Sequence, residues 1–336
     1  MEPISNSPEE LAASLVRRGM QSSQGLVGTA LQTEIAERLR FISFHRLSPY
    51  WAVADPMGIA GNAVESRFRP GTYWESVMAR YMFDRKLRLA VFDAISRIEI
   101  ALRTQIAYWW VHETGNDFPQ KDHNNYQSAF RVSELFDDVN RCFRSSQTAE
   151  TLFYKNNCRI TDARDLPIRA FVEYTSFGNI RKLLTSGFKT NSLVPGMVAR
   201  NMGMPGDLPF FLSVVSVLND VRNACAHQSR VWNNRWLGRR GDEILKRSTN
   251  PLWNYTWDEG GRTWCEHGGG DKLVLSLSST AAVLTACQII IKTIAPRSQW
   301  TSRILNLIAE HTPHKHAYRA MGFSNPYWPQ HPFWQR

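Results

Sequence analysis

Apolar side chains recur at spacings of three and four through most of the chain, the period of helices with one buried face. The clearest run is Leu87, Val91, Ile95, Ile98, Leu102, Ile106 and Trp109. At 1.5 Å per residue, a helix over 84–112 spans roughly 40 Å, which makes it a central element of the fold. Upstream, Arg69-Pro70-Gly71 reads as a turn, and Thr72 with Glu75 has the spacing of a capping box that starts the helical pattern. Ser7-Pro8-Glu9-Glu10 carries the same box ahead of a short helix that stops near Gly19. The Ser/Gln/Gly stretch 21–28 reads as a loop, and Thr29 with Gln32 opens a helix to about Phe44.

Weaker helical patterns cover 133–144, 146–156, 167–186 (broken at Phe177-Gly178-Asn179), 192–202 and 208–227. Segment 248–272, rich in Trp, Gly and Asn, reads as irregular, and helices over 274–295 and 298–311 follow. The tail 313–336 holds prolines and aromatics and is expected to wrap the surface. With few strand signals and no internal repeat, the expected class is all-α. The expected organisation is an N-terminal arm over 1–28, a helical domain over 29–312 and a C-terminal tail over 313–336 packing on it.

Composition narrows the picture. The 336 residues are 43% hydrophobic and include twelve Trp, so the chain is globular. A net charge of +10 favours polyanionic partners through phosphate contacts. Cys142, Cys158, Cys225, Cys265 and Cys287 are odd in number and lack a CxxC pair, which fits a reducing cytoplasm and no disulfide framework. Residues 1–28 lack the apolar core of a signal peptide. The uncharged stretch Leu273–Ile291 is interrupted by Ser276, Ser278, Ser279, Thr280, Thr285 and Gln288, and Lys292 closes it. It reads as a helix buried in a core, and no membrane partner is expected.

The chemistry concentrates in Val221–Asn233, VRNACAHQSRVWN. Arg222 can hold a phosphate, Asn223 can orient it, and His227 can move a proton near neutral pH. Ser216, Asp220, Asn223 and His227 recur at spacings of 4, 3 and 4 as a polar stripe. Arg222 lies about 140° around an ideal helix from His227. Convergence on one phosphate therefore requires the helix to end there, or a second copy of the motif opposite. Just downstream stand Arg230, Trp232, Arg235, Trp236, Arg239, Arg240, Lys246 and Arg247, against only Asp242 and Glu243. Guanidinium groups interleaved with indoles suit single-stranded RNA, the first for phosphates and the second for bases. The alternatives are a helix-capping cluster at 222–227 and a solvated basic loop with both indoles buried.

The R-x4-H spacing of Arg222 and His227 is similar to the signature of the HEPN ribonucleases. Around it, LRFISFHRLSPYW (39–51), YMFDRKLRLAVFDAISRIEIALRTQIA (81–107), LPIRAFVEYTSFGNIRKLL (166–184), RNACAHQSRVWN (222–233) and YRAMGFSNPYW (318–328) resemble the Abi-like, abortive-infection proteins of bacterial phage defence. The resemblance implies an all-helical HEPN-like bundle, related to the nuclease domains of RNA-targeting type VI CRISPR effectors. It also implies a role in antiviral defence, with some relatives restrained by a small noncoding RNA in the manner of a toxin and its antitoxin. By position, Arg222 and His227 match the family's catalytic pair and Asn223 the polar residue after the arginine. Glu99 and Arg103 match polar positions on the long helix, where Arg103 either lines an RNA groove or pairs with Glu99 one turn away. Relatives carry a second histidine where this chain has Gln228, so the second proton-transfer group is expected from a homodimer.

The expected function is a cytoplasmic, metal-independent endoribonuclease toxin whose partners are a noncoding RNA, an RNA substrate, or both. Two other readings stay open: a non-catalytic RNA-binding component of a ribonucleoprotein defence complex, and a protein that senses a phage component. No cofactor is expected, since GxxxxGK[ST], HExxH and GxSxG motifs are lacking. No metal is expected either: His311, His314 and His316, and Cys265 with His267, lack zinc-site spacing.

Overall fold

The computed structural model describes residues 7–51, 67–236, 255–258, 263–266, 271–272, 279–311, 317–323, 328–330 and 332–335. These residues are mostly helical, as the hydrophobic period predicts, and one helix organises the rest. Helix α4, Trp74–Thr114, runs for 41 residues, or about 60 Å. Leu87, Val91, Ile95, Ile98, Leu102 and Ile106 are all fully buried along it, and Trp110 rather than Trp109 completes the stripe. It ends at Gly115, whose left-handed φ of 64° lets its N–H return to the Val111 carbonyl at 2.8 Å.

The N-terminal region is threaded onto the start of α4. Helix α1, Pro8–Arg17, opens with the Ser7/Glu10 capping box and packs on α2, Gly28–Leu39. The box at Thr72/Glu75 does not form. Instead Gln21 pairs with the chain at Tyr73: its N–H donates to the Thr72 carbonyl at 3.0 Å and its carbonyl accepts from Trp74 N–H at 2.9 Å. The Thr72 N–H goes to the Arg69 carbonyl at 3.1 Å, and Glu75 turns to the 21–24 loop, accepting from Ser22 Oγ at 2.5 Å and Ser23 N–H at 2.9 Å. The second helix also departs from expectation, stopping at Leu39. A separate helix α3, Phe44–Trp51, follows with Pro49 inside it. Proline cannot donate to the His45 carbonyl one turn back, and Ser48 Oγ does so instead at 3.0 Å.

Helices α5 (Val132–Ser145), α6 (Ala149–Asn156), α7 (Ile168–Phe171), α8 (Phe177–Lys182), α9 (Val194–Asn201) and α10 (Leu208–Ala226) come next. Of these, α7, α9 and α10 pack directly on α4. Helix α11, Thr280–Ile294, is buried at every position from Thr280 to Ile291, as expected of a core helix. Together with α12, Trp300–His311, it covers another side of α4. Among the described residues no helix is long and apolar enough to cross a membrane.

Segment 248–272 is not wholly irregular. Strands β1 (Tyr255–Asp258), β2 (Thr263–Glu266) and β3 (Asp271–Lys272) form a small antiparallel sheet in the order β2-β1-β3, with Trp257 opposite Trp264 and Asp271. The tail is likewise partly helical, with α13 (Ala317–Met321) and α14 (Pro332–Gln335). Phe323 stacks on Trp328 at 3.8 Å between ring centres, and Trp334 meets Trp328 edge-on at 5.1 Å. Lys292 Nζ on α11 donates to the Phe333 carbonyl at 2.5 Å.

Candidate functional site

Helix α10 carries the motif and presents its end to solvent. Asp207 caps its start, accepting from Phe210 N–H at 3.0 Å. Phe210, Phe211, Val214, Val215, Leu218 and Val221 bury one face. The regular helix stops at Ala226, with His227 as the capping residue and Gln228 left-handed at φ 56°. Gln228 N–H returns to the Cys225 carbonyl at 3.0 Å and Ser229 N–H to the Ala224 carbonyl at 2.8 Å, the pairing of a Schellman motif. The helix thus ends directly after His227, whose own N–H still makes the helical bond to the Asn223 carbonyl at 2.9 Å. Arg46 of α3 clamps the turn from outside, its Nη1–H donating to the Gln228 carbonyl at 2.8 Å. Sequence reasoning did not single out Arg46, although it lies in the 39–51 block.

Asn223 and His227 are exposed, and the Arg222 side chain is 36% exposed. Arg222 Nε stands 3.7 Å from Glu99 Oε2 and makes no hydrogen bond among the described residues. The other oxygen of Glu99, a buried residue, accepts from Arg103 Nη2 at 2.5 Å. Arg103 also donates to the Thr175 carbonyl, from Nη2 at 2.9 Å and from Nε at 3.2 Å. The intrahelical pairing of Glu99 and Arg103 therefore forms. Two guanidinium groups share one carboxylate, a surplus of one positive charge within this trio, and the exposed Asp220 lies two residues before Arg222 on α10. Cys225, inside the motif, is buried, and burial pushes its thiol up to about 12. It is no nucleophile near neutral pH.

A second buried carboxylate fixes the chain after the motif. Asp84 is fully buried on α4. Its Oδ1 accepts from Val231 N–H at 3.0 Å and Trp232 N–H at 2.6 Å, and its Oδ2 accepts from the Tyr50 hydroxyl at 2.5 Å and from Arg88. Burial pushes the Asp84 carboxyl up, while these donors pull it down. Burial and the Asp84 charge raise the Tyr50 phenol. The Val231 carbonyl accepts from Thr280 Oγ1 at 2.8 Å, so this stretch is held from both sides.

This anchoring corrects one expectation and limits others. Trp232 is only 5% exposed, so its indole belongs to the core and offers no face to a base. Trp236 is half-buried against the same core, and its Nε1–H has no partner among the described residues. Arg230 is half-buried and donates to the Pro49 carbonyl at 3.0 Å, whereas Arg235 is exposed. Arg239, Arg240, Lys246 and Arg247 lie outside the described residues. Among the described residues, no three His, Cys, Asp or Glu side chains are grouped to hold a metal ion.

The family model described as Abi-like protein matches residues 37–233, more than half of the chain. That span takes in Arg46, Asp84, Glu99, Arg103, Thr175 and the whole 222–232 segment. No curated protein and no solved structure matches the chain.

Proposed function

The chain belongs to the Abi-like protein family, and from that premise we propose that it is an RNA-binding protein of phage defence with a HEPN-type, metal-independent endoribonuclease site at Arg222, Asn223 and His227. In this reading a noncoding RNA partner restrains it as an antitoxin restrains a toxin. The observation that carries the proposal is the end of α10. Asn223 and His227 stand in solvent there, and the Arg222 guanidinium of the same helix end lies 3.7 Å from a buried carboxylate, with no hydrogen bond at Nε among the described residues.

Cleavage would run through the RNA's own 2′-hydroxyl. A neutral imidazole takes that proton as the oxygen attacks phosphorus, and the 5′-oxygen leaves with a proton from an imidazolium. The products are a 2′,3′-cyclic phosphate and a 5′-hydroxyl. Arg222 neutralises the charge that builds on the pentacoordinate phosphorus. One imidazole cannot be base and acid in the same step, and Gln228 supplies no second one, so a homodimer with two facing motifs completes the pair.

The test is full-length recombinant protein with single-stranded RNA in EDTA, reading cyclic-phosphate ends. Cleavage is expected, and Arg222→Ala and His227→Ala each abolish it. Cleavage that requires Mg²⁺, or that survives both substitutions, defeats the proposal. RNA that co-purifies and binds but yields no products establishes the alternative, a non-catalytic component of a ribonucleoprotein.

A further inference from the structure

A cavity of about 410 Å³ opens where α5 meets the end of α8, and its charge is unbalanced. Its lining carboxylate, Glu134, already accepts from Arg131 at 2.8 Å. That leaves Arg181 and Lys182, and neither enters an ion pair among the described residues. Their own helix end does not occupy them. The chain leaves α8 through a single π turn, Leu183–Gly187, in which Thr185 Oγ1 donates to the Arg181 carbonyl at 2.9 Å and Ser186 Oγ to the Lys182 carbonyl at 3.2 Å. Arg181 Nε has no hydrogen-bond partner among the described residues either. The larger cavity on the other side of α5, about 920 Å³, differs in this respect. There Arg164 is paired with Asp162 at 2.6 Å and Arg141 with Asp138 at 3.1 Å, and the remaining cation, Arg144, shares the lining with the carboxylate Asp137.

The unbalanced cavity is joined to the motif by a short run of backbone. Thr175, whose carbonyl holds Arg103, leads into Ser176, which caps α8 by accepting from Asn179 N–H at 3.2 Å. Gly178 then lies against α10, where an added Cβ would stand 3.8 Å from Asn219 Oδ1. Lys182 follows Gly178 by one helical turn and shares its face.

We propose that an RNA strand engaged at Arg222 and His227 crosses the Thr175–Asn179 turn at Ser176, its exposed residue, and lays its next phosphates in this cavity, on Arg181 and Lys182. The inference rests on the RNA-binding reading above and names the path the strand takes. The probe is a fluorescent 2′-O-methyl RNA, which keeps the phosphates and lacks the attacking hydroxyl, titrated with the full-length chain across a salt series. Each single-strand phosphate contact removed lowers the slope of log K against log salt by about 0.7, so Arg181→Glu with Lys182→Glu lowers it by about 1.4. Arg144→Glu, in the larger cavity, is expected to leave the slope unchanged. If Arg181→Glu fails a circular-dichroism melt, the exposed Lys182→Glu alone decides, with a drop of about 0.7. A wild-type protein that binds RNA while its Lys182→Glu variant keeps the same slope, or an equal drop in Arg144→Glu, overturns the path and leaves the RNA reading standing. A wild-type protein that does not bind the probe sinks both.

Discussion

Replacing Asp84 by alanine removes the acceptor on which three stretches of chain converge. Arg88, almost as buried as its partner, would be left with an uncompensated charge, which typically costs about 3–5 kcal/mol when a buried ion pair is broken from one side. The Val231 and Trp232 N–H groups and the Tyr50 hydroxyl would lose their acceptor as well, at about 1–3 kcal/mol for each group that water cannot reach. These costs are coupled rather than additive. A loss of at least about 4 kcal/mol is therefore expected in urea unfolding at neutral pH, a large part of the stability of an ordinary domain. Asp84→Asn keeps one acceptor oxygen for the backbone and loses the charge facing Arg88, so a loss of about 2–3 kcal/mol is expected.

The discriminating variant is Asp84→Leu with Arg88→Met. If the node were only an ion pair, apolar replacement of both partners would restore wild-type stability. Because Asp84 also holds two backbone amides, the double variant should stay about 2–4 kcal/mol below wild type. Hydrogen exchange should locate the defect, with the amides of Val231 and Trp232 protected in the wild type and open in both alanine and leucine variants. A double variant as stable as the wild type, with those amides still protected, would refute the anchoring role.

Gln228→Gly should stabilise the protein by about 1 kcal/mol, because glycine carries no penalty at a left-handed helix-terminating position. A rise in the urea midpoint checks this, and an unchanged or lower midpoint would show that the Gln228 side chain contributes more than its backbone strain costs. The Arg164 guanidinium holds the Asp162 carboxyl down at about 2. That is below the ordinary value of about 3.9, so the pair adds stability above about pH 4 that drains away as pH falls towards about 2. Arg164→Ala should therefore flatten the decline of the urea midpoint across that acid window, and a decline parallel to the wild type's would contradict the assignment.

Much of this architecture can be read from periodicity, and the failures have identifiable causes. The α4 stripe and the end of α10 follow from spacing alone, because burial of one face dictates both. The box at Thr72 and Glu75 fails because the Thr72 N–H goes to the Arg69 carbonyl and the Glu75 carboxylate to Ser22 and Ser23, the second a long-range contact that no local pattern reveals. The small sheet did carry a signal: Tyr255-Thr256-Trp257 and Thr263-Trp264 flank Gly260-Gly261, aromatic and β-branched residues around a turn pair. Interleaved arginines and indoles after the motif look alike whether the indoles face bases or the core. Trp232 went inward because its backbone is tied to Asp84. Asp84 with Arg88 and Glu99 with Arg103 have the same i,i+4 spacing as a solvated surface pair, and only burial tells them apart.

Those two carboxylates explain why residues so far apart in sequence serve one turn. Glu99 and Asp84 are fifteen residues apart on one helix, a separation of about 22 Å along its axis. Glu99 faces Arg222 before the turn, and Asp84 holds Val231 and Trp232 after it, a stretch of chain easily long enough to bridge that gap. Between the anchors Asn223, His227 and Gln228 are exposed, and Arg46 fixes the Gln228 carbonyl from a third element. Residues held at their flanks by buried charges and between them through backbone groups keep a fixed backbone while their side chains face solvent. That is what a site needs if it must present an imidazole to a moving substrate without reorganising at the moment of reaction. A buried carboxylate is an expensive way to hold a helix, and apolar packing would do it as well. The carboxylates are accounted for by the direction they impose: Asp84 orients the Val231 and Trp232 amides after the exposed turn, and Glu99 faces the Arg222 guanidinium before it.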